Sequence, residues 1–187
     1  LDEESETDTP AERAQKWARF QAGEYDLALL TYSSMPRTRI DVDALAARFN
    51  EAPALARQLA LKQRSILNKK PEDRTERERA VLAGDLASWI GDKLEIPDKW
   101  EYDGDVRWED LGCDFLCVDE IHNYKNLFMP EPREYGVPAF MGSAGEGSGR
   151  AWQLFFRAMI VRGRTGGGGI LGLSATPAKN GPVELYS

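Results

Sequence analysis

Three short apolar runs, each about as long as a buried strand, interrupt a chain that otherwise reads as helix and loop, and this alternation constrains the fold most. The runs are residues 26–32 (DLALLTY), 114–118 (DFLCV) and 170–173 (ILGL). Strands separated by helical segments argue for a parallel sheet with helices on its faces, so the expected class is α/β. In an open parallel sheet, ligands bind beyond the carboxyl ends of the strands. The residues that follow these runs are therefore where chemistry is to be sought.

The stretches between the runs carry helix signals. Thr9-Pro10-Ala11-Glu12 has an N-cap, a proline at the first helical position and a capping-box glutamate. Trp17, Phe20 and Gln21 continue that helix, and Gly23 can end it in the left-handed conformation. Residues 33–40 form a turn region broken by Pro36, and Asp41 opens a new helical pattern with Val42, Leu45, Ala46 and Phe49. From residue 51 to about 93 the text is helical in composition, with Pro71 separating two helices. The stretch KKPEDRTERERA is too charged to be core and is expected at an exposed tip. Residues from about 50 to 100 read as a helical insertion hanging from the sheet. Residues 151–161 form a further helix, whose Trp152, Phe155, Phe156 and Met159 make a core face rather than a base-stacking platform.

At 187 residues the chain can build one sizeable core. No apolar run is long enough to cross a bilayer and no secretory signal is visible, so a cytoplasmic protein without membrane partners is expected. A first residue of Leu1 rather than Met fits an excised fragment. Cys113 and Cys117 are not spaced as C-x-x-C and have no second pair, and Cys117 reads as a small buried side chain. His122 is the one histidine, which excludes a histidine-rich metal site. A net charge of −7 argues against a protein that coats nucleic acid non-specifically. Asp2, Glu3, Glu4, Glu6 and Asp8 read as a solvated tail. Residues 57–79 hold eight basic and four acidic side chains, and residues 150–164 hold four arginines and no acid. Local basic surfaces of this kind are enough to follow a phosphate backbone.

Val118-Asp119-Glu120-Ile121-His122 directly follows the second run. Phosphoryl transfer to water needs one carboxylate to hold Mg²⁺, usually through its waters, and a second to orient or deprotonate the attacking water. Asp119 suits the first task and Glu120 the second. A D-E-x-H tetrapeptide can also be no more than the surface end of a strand. The functional reading gains because Leu173-Ser174-Ala175-Thr176-Pro177 also follows an apolar run, one loop and one helix later. The glycine-serine stretch 142–149 lacks G-K-[ST] and follows no strand, so it reads as a linker rather than a phosphate loop.

The VDEIH box resembles the Walker B (DExH) motif of superfamily 2 helicases, and LSATP resembles their S-A-T coupling motif. D-E-I-H-N-Y-K-N, through Asn126, is similar to the D-E-A-H-x-x-K-N run of Swi/Snf-type translocases. Leu30-Thr31-Tyr32 resembles the T-Y element of that group. Ser148-Gly149-Arg150-Ala151 and the segment from Thr176 to Tyr186 resemble large phage- and mobile-element-borne helicases, some fused to DNA methylases. The resemblance spans about residues 25 to 187, with the helical insert least matched. It implies a partial RecA-like first ATPase lobe. By position, Asp119 would coordinate Mg²⁺ through water, Glu120 would be the catalytic base, and His122 would contact Ser174, Ala175 and Thr176 to tie hydrolysis to movement. Thr31, Ser33 and Ser34 would touch DNA backbone, although a hydrogen-bonded turn explains them nearly as well.

The chain contains no G-x-x-x-x-G-K-[ST], so nothing in it grips the β- and γ-phosphates of ATP. The expectation is therefore a motor fragment that alone binds ATP very weakly and hydrolyses none measurably, ATP and Mg²⁺ being bound tightly only with the remainder of its polypeptide: the phosphate-loop segment and a second lobe. An alternative is a non-catalytic DNA- or protein-binding module on a helicase-like scaffold. A metal-dependent nuclease built on Asp119 and Glu120 is weaker, because no P-D-[DE]-x-K pattern accompanies them.

Overall fold

The structure is a computed structural model, and it describes residues 8–48, 53–95, 101–124, 127 and 148–176. The chain divides into two compact units, Leu1–Gly112 and Cys113–Ser187. Helix α1 (Pro10–Gln21) opens the first unit on the expected capping box, with the Thr9 side chain accepting from the Glu12 N–H and Glu12 reaching back to Thr9. It ends at Gly23, whose φ of 76° is left-handed. Its buried face carries Arg13 and Trp17, and both side chains donate to one carboxylate. Arg13 Nε reaches Asp103 Oδ1 at 2.6 Å, and Trp17 Nε1 reaches Oδ2 at 3.0 Å. Asp103 is fully buried. It is held because its segment runs beside residues 37–39, with Asp103 N–H donating to Arg37 O, Arg39 N–H to Val106 O and Trp108 N–H to Arg39 O.

Helices α2 (Val42–Ala47), α3 (Pro53–Leu67), α4 (Glu76–Leu82) and α5 (Leu86–Leu94) complete this unit. Asp41, Thr75 and Asp85 cap α2, α4 and α5 with their side chains. Pro71 starts a short 3-10 turn between α3 and α4, as its position predicts. Helix α5 packs on α2 and α4, and α3 on α4. Their shared core is Leu45, Leu55, Ile66, Val81, Trp89 and Ile90. The charged tip at residues 69–79 is largely exposed.

The first apolar run departs from expectation. Residues 26–32 form no strand, and Leu27 and Leu29 are 62% and 52% exposed. Exposure alternates along 27–30, as in an extended chain with one side covered. Trp17 and Phe20 of α1, together with Tyr25, line a groove with residues 27–30. The run reads as doubly buried because residues 27–30 at its centre are all apolar. Among the described residues no neighbouring strand covers its other side.

In the second unit, β1 (Leu116–Val118) and β2 (Ile170–Gly172) pair in parallel, with Leu116 opposite Ile170 and Val118 opposite Gly172. Helix α6 (Gly149–Thr165) connects back to β2 and packs on it. Its buried face includes Trp152, Leu154, Phe156, Ile160 and Val161, with Trp152 and Phe156 stacked at 5.4 Å. Gly166 ends the helix at φ 70°. Gly169 is required twice over: its φ is 81°, and a Cβ there would run into the Asp114 carbonyl. Leu116 N–H in turn donates to Gly169 O at 2.7 Å.

The expected burial of 114–118 is corrected. Val118 is buried, but Phe115 is 59% exposed and Cys117 is exposed rather than core. The pleat sends alternate side chains to opposite faces, and α6 covers only one of them. The chain is thus mixed α/β with a short parallel sheet. No helix among the described residues is long and apolar enough to cross a membrane. Phe49, Lys125, Asn126, the acidic residues 2–6, the stretch 142–147 and residues 177–187 lie outside the described residues.

Candidate functional site

The parallel ladder sets the backbone at the end of β1. Leu116 N–H donates to Gly169 O, and Leu173 N–H donates to Val118 O at 2.9 Å. Continued regularly, the next bond would run from Glu120 N–H to Leu173 O. Instead Ile121 N–H takes that carbonyl, at 2.9 Å. One extra residue is therefore accommodated between Val118 and Ile121, and Glu120 absorbs it. Its φ is 47°, the one left-handed non-glycine residue among those described. Such a conformation in a residue other than glycine costs on the order of 1–3 kcal/mol and concentrates at functional sites. The displaced Glu120 N–H turns to Asp119 Oδ1 at 2.9 Å, and Asn123 N–H donates to Glu120 O at 2.9 Å. A 3-10 turn, Ile121–Tyr124, follows and packs on α6 with Tyr124 buried.

This turn brings His122 onto the end of β2. His122 Nδ1 lies 3.1 Å from Ser174 Oγ and 2.9 Å from Glu120 Oε2. The His122 side chain is 19% exposed. Glu120 Oε2 is itself shielded from solvent, and its short approach to the ring lacks the alignment of a hydrogen bond. Ser174 Oγ also accepts from Thr176 N–H at 3.2 Å, which closes the turn after β2. A serine–histidine–acid nucleophile relay needs the acid and the hydroxyl on different ring nitrogens. Here both face Nδ1, so the group is not a hydrolytic triad. What it does is join the two strand-end motifs through one ring.

Asp119, Glu120, His122 and Ser174 therefore come together, although 52 positions separate His122 from Ser174. Ala175 and Thr176 continue outward and are exposed. Thr31, Ser33 and Ser34 belong to the other unit. Their hydroxyls face one another, with Thr31 Oγ1 3.0 Å from Ser33 Oγ and 2.7 Å from Ser34 Oγ. Among the described residues no group of three or more His, Cys, Asp or Glu could cage a metal. One exposed carboxylate, Asp119, fits a cation that keeps most of its waters, as Mg²⁺ does. Sequence reasoning passed over Ile121 and Gly172, whose close approach shapes this corner. The available signal was a glycine inside a strand, which often marks a near backbone or side chain.

No protein-family model matches the chain, and no solved structure matches it. It is similar to the "Defense against restriction protein B" of Escherichia phage P1, at 26% identity over 113 residues. The match takes in 60% of this chain and 5% of that protein, so the chain spans a small part of the length of this relative.

Proposed function

We propose that this chain is the hydrolysis-and-coupling part of the RecA-like first lobe of a superfamily 2 DNA helicase or translocase. Other sequence of the same polypeptide supplies the phosphate loop and the second lobe. Glu120 serves as the base that aligns the attacking water, and Asp119 holds a water of the Mg²⁺ ion, whose charge offsets that of the ATP phosphates. His122 passes the state of this corner to Ser174, Ala175 and Thr176. The observation that carries this reading is the placement of His122 Nδ1 3.1 Å from Ser174 Oγ, at the carboxyl ends of two parallel strands. The similarity to a phage protein named for defence against restriction is compatible with a role in a phage or mobile element.

A double-mutant cycle on the full-length polypeptide tests the coupling. His122→Ala and Ser174→Ala should each lower DNA-stimulated ATP turnover about tenfold while leaving part of the basal rate. The double variant should lose no more than either single one, giving an interaction energy of about 0.5–3 kcal/mol. Simply additive losses would contradict a shared role.

A further inference from the structure

Gly172 closes β2 opposite Val118. It is not among the glycines with positive φ, so its backbone would suit any residue. Glycine is required there for space. A Cβ at 172 would stand 2.6 Å from Ile121 Cδ1, 3.3 Å from Cγ2 and 3.4 Å from Cβ. Ile121 thus rests on bare strand backbone, and from that seat its N–H reaches Leu173 O at 2.9 Å. Because Ile121 fills the ladder position, Glu120 is left to bulge out at φ 47° with Oε2 2.9 Å from His122 Nδ1. Bulges beside active sites commonly re-aim a side chain in this way.

We infer that the seating of Ile121 on Gly172 sets the direction of the Glu120 carboxylate, which makes Gly172 a positioning residue for ATP hydrolysis. The inference rests on the function proposed above. A side chain at 172 lifts Ile121 and returns the Leu173 carbonyl to Glu120 N–H. Glu120 then leaves the left-handed region and its carboxylate swings away from the reacting water. The effect is graded. Ile121 Cδ1 is a flexible end and can turn aside for a methyl group, whereas Cγ2 and Cβ can yield to a branched side chain only if the backbone moves.

The test uses the full-length polypeptide for turnover and the 187-residue chain for amide exchange. Gly172→Val should lower kcat about tenfold or more, because small misplacements of a reacting group are expensive, with KM for ATP changed by less than about twofold. Gly172→Ala should lower kcat less, and Ile121→Val, which removes Cδ1, should restore it in the Gly172→Ala background. In the 187-residue chain, Gly172→Ala should speed exchange of the Ile121 N–H, again reversed by Ile121→Val. Unchanged kcat in Gly172→Val, a loss confined to KM, or failure of Ile121→Val to rescue would overturn the inference. Unchanged Ile121 exchange would overturn the seating itself. A wild-type polypeptide without ATP turnover would instead sink the proposed function, while the exchange arm still decides the seating.

Discussion

Glu120 and Asp119 can be picked out of the sequence because carboxylates after an apolar run mark the ligand side of a parallel strand. The left-handed backbone of Glu120 cannot be read the same way. Glutamate has no preference for that region, and the conformation arises from a ladder bond made by its neighbour. Cys117 was misread for a similar reason: apolar neighbours in sequence do not tell which face of a strand is covered. The two thiols now differ in a testable way. Burial, opposed by the Arg164 charge, raises the Cys113 pKa above its ordinary value, while Cys117 is exposed. The thiolate is the reactive form, so at neutral pH an alkylating reagent should modify Cys117 first. Peptide mapping after brief labelling checks this, and faster modification of Cys113 would contradict it. In the other unit, Asp103→Ala would strip the carboxylate from the buried Arg13 and Trp17 donors. Removing one partner of a buried pair should cost about 3–5 kcal/mol, read as a lower denaturant midpoint. A loss below about 1 kcal/mol would mean the pair is solvated.

Helix boundaries at the scale of elements follow from local chemistry, and the sequence shows them. Thr9 with Glu12 and Asp41 before Val42 cap their helices as their positions imply. A cap needs only residues three apart, whereas a strand needs a partner elsewhere in the chain. That is why residues 26–32 could be recognised as apolar and extended but not as unpaired. The caps also carry a pH signature. Glu12 is held below its usual carboxylate pKa chiefly by the Thr9 backbone N–H, Glu78 by the Lys69 ammonium and Asp85 by the Ser88 hydroxyl. Because folding depresses these values, the stability they contribute is present above the ordinary carboxylate range and is lost as pH falls through the depressed values. Helical circular dichroism should therefore decline at acid pH. Thr75→Ala, which removes the side-chain acceptor of the α4 capping box but keeps the Thr75 N–H that donates to Glu78, should lower stability by about 1 kcal/mol at neutral and at acid pH alike. A loss that disappears in acid would contradict a hydroxyl cap that is independent of the Glu78 charge.

For the molecule as a whole, two units share one chain, and Asp119, Glu120, His122 and Ser174 all lie in residues 113–187. The parallel pairing of two strands across a helix was legible from the order of apolar runs and helical stretches. The division into units was not, because no composition break marks Gly112. The sequence carries VDEIH and LSATP without a G-x-x-x-x-G-K-[ST] loop. The 187-residue chain alone should accordingly show no measurable ATP turnover, and robust turnover would contradict the division of labour proposed above. The most direct test of the central claim is steady-state ATP hydrolysis by the full-length polypeptide carrying Glu120→Gln, with DNA binding measured alongside. The account predicts that turnover is abolished while DNA binding is largely kept, and unchanged turnover would remove Glu120 from the mechanism.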